Sequence, residues 1–168
     1  CVKLKAVTLW MISVQMATPL WSGFTYQEHQ QSGIQWMCER EDDEEGSGGI
    51  LCDEMGLGKT PQLIAVALKA VEEGHRVLIS VPPSLRINWV REISKFLNMS
   101  LSIEVIDGTK PYKLTGADVT IIGDAGLTGW APALDREGFG ALLVDEAHRF
   151  KNAKSKRTIA LQGIARGI

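Results

Sequence analysis

The fold of this chain is decided by the stretch Gly49-Ile-Leu-Cys-Asp-Glu-Met-Gly-Leu-Gly-Lys-Thr60. Its apolar start predicts a short buried strand at 49–52, and the apolar run at 60–73 predicts a buried helix that ends before Gly74. Between them, Gly56 and Gly58 let backbone N–H groups close around an anion, and the helix N-terminus adds its dipole. The stretch therefore predicts a phosphate-binding loop between a strand and a helix.

The residues after these glycines favour a nucleoside triphosphate. Lys59 is in register to reach the β and γ phosphates, and the Thr60 hydroxyl can ligate Mg²⁺. The general Walker pattern GxxxxGK[ST] has a glycine where this chain has Asp53, which is a departure from that pattern. A dinucleotide fingerprint is excluded, because its third glycine would fall on Pro61.

The rest of the chain alternates short apolar runs with amphipathic ones, a pattern typical of a parallel sheet covered by helices. A further helix is predicted at 84–97, and the acidic, glycine-rich run at 39–49 is predicted to be a solvated loop. The predicted fold class is α/β, with a mostly parallel sheet and helices on both faces. Further strands are predicted at 76–81, 101–106, 119–122 and 141–144.

A second chemical signal is the stretch Ala141-Leu-Leu-Val-Asp-Glu-Ala-His148, an apolar strand that ends in two carboxylates. Ligands of such sheets bind at the carboxyl ends of the strands. We expect Asp145 to hold a metal ion, directly or through water, and Glu146 to orient and deprotonate an attacking water. The same two residues at a merely solvated strand end are the simpler alternative.

Composition describes an ordinary globular protein of about one domain, with 168 residues, 45% hydrophobic and 23% charged. The net charge is −2, but residues 39–45 hold six acidic residues and one arginine, so the remainder carries +3. That balance permits a polyanionic partner. Three cysteines without a CxxC pair favour a reducing, intracellular location, and no apolar run is long enough to span a membrane.

The two ends of the sequence suggest a piece of a longer protein. The chain begins with Cys1, and we expect residues 1–23 to be an upstream segment packed on a domain of residues 24–168. Residues 6–20 also have a faint similarity to a signal peptide, which Gln15 interrupts.

Two motifs together resemble the Swi/Snf-type ATPases, a family of helicase superfamily two. Gln30-Gln-Ser-Gly-Ile-Gln-Trp36 matches that family's QxxGxxW motif, and Asp53-Glu-Met-Gly-Leu-Gly-Lys-Thr-Pro-Gln62 matches its DEMGLGKTxQ motif. Asp53 is the usual residue of this family at its position. The resemblance implies the N-terminal RecA-like lobe of a P-loop motor, and the compact spacing is similar to the annealing-helicase branch.

The resemblance also implies ligands and site residues. ATP and Mg²⁺ are the implied cofactors, with adenine recognised by Gln30 and magnesium held by Thr60 and Asp145. Lys59 and Glu146 are the implied catalytic residues. The implied nucleotide-binding set is Gln30, Asp53, Met55, Gly56, Leu57, Gly58, Lys59 and Thr60.

Two weaker segments imply contacts to nucleic acid. Val81-Pro-Pro-Ser-Leu85 is similar to a motif that touches the DNA backbone, where Ser84 could offer a helix N-terminus to a phosphate or simply cap the helix. Lys151 and Asn152 fall in the family's KNxxS stretch, whose basic residues could meet DNA or form a solvated face.

The implied function is ATP hydrolysis coupled to movement on double-stranded DNA, completed by a second RecA-like lobe that supplies arginine fingers. Without the second lobe, this chain is expected not to hydrolyse ATP. Three alternatives remain open: another superfamily-two motor such as an RNA helicase or restriction translocase subunit, a P-loop small-molecule kinase, and a nucleotide-binding module without turnover. The sequence indicates no membrane partner.

Overall fold

The computed structural model describes residues 23–41, 48–52, 56–96 and 101–168. These residues form five α-helices and four strands, and 3₁₀ turns at Pro83–Leu85 and Ala147–Phe150 follow the first and last strands. In chain order the elements are α1 (Glu28–Glu41), α2 (Lys59–Glu72), β1 (Val77–Val81), α3 (Arg86–Phe96), β2 (Ile103–Val105), β3 (Val119–Gly123), α4 (Leu127–Leu134), β4 (Ala141–Val144) and α5 (Lys156–Ala165).

The four strands form one sheet in the order β2-β3-β1-β4, and every pair in it is parallel. Val77 at the start of β1 pairs with Val119 of β3 on one side and with Ala141 of β4 on the other. β1 therefore lies between β3 and β4. β4 is the strand that directly precedes the two carboxylates. The predicted parallel sheet is confirmed.

Helices cover both faces of the sheet, as predicted. Alternate residues of β1 point to opposite sides: Val77, Ile79 and Val81 belong to a core shared with α1, α2 and α3, whereas Leu78 belongs to a second core with α4 and α5. All five residues of β1 are buried, because a strand with a helix layer on each face has no solvent side.

The strand predicted at 49–52 is wrong, since residues 48–52 have no regular secondary structure. Ile50 is 70% exposed, so this segment lacks the burial on both faces that a central parallel strand would have. The predicted acidic loop also begins too early, because α1 continues to Glu41. The predicted helix at 84–97 begins as the 3₁₀ turn, and α3 proper runs from Arg86 to Phe96.

Of the predicted upstream segment 1–23, only Gly23 lies within the described residues. In the part of the chain that the structure describes, no helix combines the length and the apolar character that crossing a membrane requires.

Candidate nucleotide-binding site

The glycine loop before α2 and the carboxylates after β4 lie at one edge of the sheet. α2 ends at Glu72 and β1 begins at Val77, so the N-terminus of α2 lies toward the carboxyl ends of the strands. β4 is parallel to β1 and ends at Val144, directly before Asp145. Ligands of open parallel sheets bind at this edge, and both predicted chemical signals belong to it.

Gly56 and Gly58 give the loop its shape, with φ angles of 89° and 74° in the left-handed region that glycine adopts readily. Gly58 immediately precedes α2, and a Cβ on it would lie 2.3 Å from Nε2 of Gln30. Lys59 and Thr60 are the first two residues of α2 and are half-buried. Of the implied nucleotide-binding set, Asp53 and Met55 lie outside the described residues.

Side chains of α1 hold the carbonyl of Leu57. Gln30 donates from Nε2 to that oxygen at 3.2 Å, and Nε2 of His29 lies 2.9 Å from the same oxygen. The amide of Gln30 is itself fixed, since its Oε1 accepts the backbone N–H of Gln27 at 3.0 Å. Because a trans peptide places N–H opposite C=O, fixing this carbonyl toward α1 directs the N–H of Gly58 away from α1.

Gln30 is 8% exposed, and its side chain bonds both to the loop carbonyl of Leu57 and to the N–H of Gln27. The side-chain amide has a second N–H, and its oxygen has a second lone pair, so these contacts do not exclude recognition of adenine by Gln30. Sequence reasoning missed the part played by His29, which has no pattern signal other than its place beside Gln30.

The remaining motif residues of α1 also contact the loop region. A Cβ on Gly33 would lie 2.1 Å from Oε1 of Gln62, and a Cβ on Gly49 would lie 2.4 Å from the Trp36 ring. Gln62 is fully buried in α2 and donates to the carbonyl of Gly58 at 3.4 Å. The QxxGxxW spacing thus places glutamine, glycine and tryptophan where α1 meets the segment that leads through the loop into α2.

Replacing Gly33 with alanine is expected to lower the free energy of unfolding by about 1–3 kcal/mol, because the added methyl overlaps the buried Gln62 side chain. The matched control is Gly163→Ala in α5, where a Cβ meets nothing within 4 Å. That control should gain about 0.5–1 kcal/mol from helix propensity. Urea unfolding of both variants measures the difference, and a Gly33→Ala variant as stable as Gly163→Ala would contradict the observed packing.

Asp145 is held by three hydrogen bonds. Its backbone N–H donates to the carbonyl of Ser80 at 2.9 Å, which extends the pairing of β4 with β1 by one residue. One carboxylate oxygen, Oδ1, accepts the N–H of Glu146 at 2.9 Å, and the other, Oδ2, accepts the indole Nε1–H of Trp89 at 2.9 Å. The carboxylate is therefore fixed in position directly after the carboxyl end of β4.

Glu146 has a left-handed backbone, with φ 55° and ψ 46°, and is the non-glycine residue with positive φ among the described residues. This conformation is unfavourable for an ordinary side chain by about 1–2 kcal/mol. The Glu146 side chain is exposed, and its Oε2 lies 3.0 Å from Nδ1 of His148. An exposed carboxylate directly beside a fixed one suits contact with an incoming water.

The buried carboxylate of Asp124 forms ion pairs with two arginines of the segment that follows β4. Asp124, directly after β3, is 1% exposed and forms a short ion pair with Arg149, whose Nη2 also donates to Oδ1 of Asp124 at 3.3 Å. Nη1 of Arg157 lies 3.5 Å from Oδ2 of the same residue. The hydrogen bond to Asp124 and its negative charge raise the pKa of Arg149 above its ordinary value. Sequence reasoning gave Asp124 no role, although a charged residue directly after an apolar strand was a signal.

The implied nucleic-acid residues are exposed at the same edge. Ser84 is exposed within the turn Pro83–Leu85, which follows Pro82, and its helix-capping and phosphate-binding roles both stay predictions. Lys151 is exposed after the second turn. Oδ1 of Asn152 accepts the N–H of Lys154 at 3.0 Å, so its side chain stabilises the local turn.

The donor set at this edge fits magnesium. Mg²⁺ prefers hard oxygen ligands and usually takes only one or two from the protein, with phosphates and waters completing the shell. Thr60 offers a hydroxyl at the start of α2, and each oxygen of the Asp145 carboxylate retains a lone pair beyond its single hydrogen bond.

Comparison with known proteins agrees with this architecture. The ATPase core of the Sulfolobus solfataricus SWI2/SNF2 protein, solved in complex with double-stranded DNA, superposes with a TM-score of 0.71 at 32% identity. That match covers 83% of this chain and 30% of the solved one. The class of protein is therefore one with the RecA-like α/β fold of that ATPase core.

Residues 29–165 match the model of the SNF2-related domain, and this chain belongs to that family. The ATP-dependent helicase fft1 of Schizosaccharomyces pombe is 34% identical over 163 residues, which cover 89% of this chain and 17% of the relative. The DNA annealing helicase and endonuclease ZRANB3 of Mus musculus is 37% identical over 116 residues, 65% of this chain and 11% of the relative. The chain thus spans less than a fifth of the length of these relatives, and the annealing-helicase branch stays a prediction.

Proposed function

We propose that residues 24–168 form the N-terminal lobe of an ATP-dependent motor that moves on intracellular double-stranded DNA. The observation that supports the proposal is that the glycine loop, whose Leu57 carbonyl is held by Gln30, and the hydrogen-bonded Asp145 carboxylate belong to the same edge of the sheet. Similarity to ATP-dependent helicases supports the use of ATP. The short share of each relative that the chain covers supports a second lobe elsewhere in the full-length protein.

The chemistry follows from the placement of each group. The Gly58 N–H and the α2 N-terminus bind phosphate oxygens, and the Lys59 ammonium neutralises charge on the β and γ phosphates. Thr60 and Asp145 hold magnesium, which supplies electrostatic stabilisation of the phosphates when bound. Glu146 orients a water for in-line attack and accepts its proton, and Gln30 meets adenine while it holds the loop.

The proposed DNA contact lies on the exposed turns at the same edge. Ser84 and Lys151 follow β1 and β4 there, and neighbouring Lys154 and Lys156 are also exposed. A solved relative of similar fold carries double-stranded DNA. Contacts from such residues go to phosphates, so we expect weak dependence on base sequence and a strong dependence on salt.

Lys59→Ala in the full-length protein tests the nucleotide site. It removes a charge-assisted contact worth about 1.5–3 kcal/mol, so ATP affinity measured by titration calorimetry should fall at least about tenfold. The matched control is Lys69→Ala, which removes a half-exposed lysine of the same helix, paired with Glu73, and should leave affinity unchanged.

Unchanged ATP affinity in a folded Lys59→Ala variant would refute the site. Stimulation of ATP hydrolysis by duplex DNA and by RNA, measured on the unsubstituted protein, tests the proposed substrate. A stronger response to RNA would indicate a different superfamily-two motor, and binding without turnover would indicate a nucleotide-binding module.

A further inference from the structure

One hydrogen bond joins the helix after β1 to the proposed magnesium ligand. Trp89 lies in α3 and is 2% exposed, and its indole Nε1–H donates to Oδ2 of Asp145 at 2.9 Å. The two residues are separated by 56 positions in the sequence. The contact is therefore made by the tertiary fold, since no local turn brings these residues together.

The position of the indole is set by its surroundings. Trp89 packs in the core that includes Ile93 of the same helix and Ile79 and Val81 of β1. α3 begins after the short turn Pro83–Leu85 that follows β1, so little chain separates the ring from the sheet. A close-packed ring of this size has no room to rotate, and its N–H points where the core places it.

Packing alone does not require tryptophan here. Burying an N–H without a partner is unfavourable, whereas a phenylalanine would fill a core position without that requirement. The indole N–H has one partner, and that partner is the carboxylate that ends β4. The feature that distinguishes Trp89 from an ordinary core residue is thus its bond to Asp145.

We propose that Trp89 is a positioning residue, which holds the Asp145 carboxylate in the orientation that magnesium binding needs. The inference rests on the proposed function. With Oδ1 held by the Glu146 N–H and Oδ2 by Trp89, the plane of the carboxylate is set before metal and nucleotide arrive. Without the indole N–H, Oδ2 is released, and the carboxylate turns about its remaining contacts.

The test compares Trp89→Phe with Trp130→Phe in the full-length protein. Trp130 is an equally buried tryptophan, in α4 on the other face of the sheet, and its Nε1–H donates to the carbonyl of Gly108 at 3.2 Å. The two variants lose the same atoms from the same kind of site, but only Trp89 touches the proposed metal ligand.

The measurement is binding of the non-hydrolysable analogue adenosine 5′-(β,γ-imido)triphosphate at increasing Mg²⁺ concentrations. Loss of a partner that orients a metal ligand typically weakens metal binding about 10–100-fold. Trp89→Phe should therefore raise the Mg²⁺ concentration at half-maximal binding at least about tenfold, and Trp130→Phe should leave it within about twofold. In an Asp145→Asn background, Trp89→Phe should add no further change.

Equal Mg²⁺ dependence of the two phenylalanine variants would overturn the role of Trp89, while magnesium-dependent binding by the unsubstituted protein would still uphold the proposed function. Absence of such binding in the unsubstituted protein would defeat the proposed function and this inference with it. If Trp89→Phe does not fold, indole ¹⁵N NMR decides. One indole resonance should respond both to Asp145→Asn and to Mg²⁺ with the analogue. If no single resonance responds to both, the proposal is refuted.

Discussion

Glu146→Gln in the full-length protein is expected to retain ATP binding and to lose DNA-stimulated hydrolysis by about 10²–10⁴-fold. The amide keeps the size of the side chain but cannot accept a proton from water. Glutamine meets the same left-handed backbone as glutamate, so the fold of the turn is retained. Calorimetric titration of ATP and a steady-state phosphate-release assay with duplex DNA measure the two effects separately.

A matched control for this variant is Glu72→Gln, an exposed glutamate at the end of α2, which should leave the hydrolysis rate unchanged. Hydrolysis by Glu146→Gln within a few-fold of the unsubstituted rate would show that another group accepts the proton. A loss of ATP binding of the same size as the loss of rate would instead show that Glu146 contributes to binding.

The isolated 168-residue chain is expected to hydrolyse ATP about 10³–10⁵-fold more slowly than the two-lobe protein, even with saturating duplex DNA. An arginine supplied to the γ-phosphate from a partner surface contributes a factor of this size in related phosphoryl transfers. Arg149 and Arg157, the first two of the three arginines that follow the two carboxylates, are both engaged with the buried Asp124. Their ion pairs hold them against β3.

Phosphate release by the purified chain, with and without DNA and at two salt concentrations, checks this prediction. The comparison is the full-length protein under the same conditions. Duplex DNA should bind the chain weakly and lose affinity steeply as salt rises, because phosphate contacts release counterions. Robust DNA-dependent turnover by the chain alone would show that a complete catalytic site exists within it.

The sheet could be predicted from sequence because its strands are short apolar runs, and β1 and β3 are buried at every residue. β1 and β4 are found within one residue of the predicted bounds. The helices missed by prediction lack a clear apolar stripe. α1 is largely polar, with Ile34 as its buried aliphatic residue, and α4 is a single short helix that contains Pro132 and Gly129. Tertiary packing stabilises these helices where local propensity does not.

The part of the candidate site that could be predicted consists of residues in local sequence patterns. Lys59, Thr60, Asp145 and Glu146 follow local patterns, a glycine turn into a helix and an apolar strand into carboxylates, and such patterns are visible in one stretch of sequence. The bonds from Gln30 to Leu57 and from Trp89 to Asp145 join residues 27 and 56 positions apart. No local periodicity encodes such pairs, because they depend on how finished elements pack.

At position 146, the left-handed backbone makes folding stability and catalytic activity favour different residues. A glycine would adopt φ 55° without the unfavourable contacts that a Cβ makes there, so selection for folding stability alone favours glycine at this turn. Selection for turnover favours the carboxylate. A library screened for thermal tolerance would therefore enrich proteins that are more robust and catalytically silent, and position 146 would need to be held fixed in any effort to stabilise this lobe.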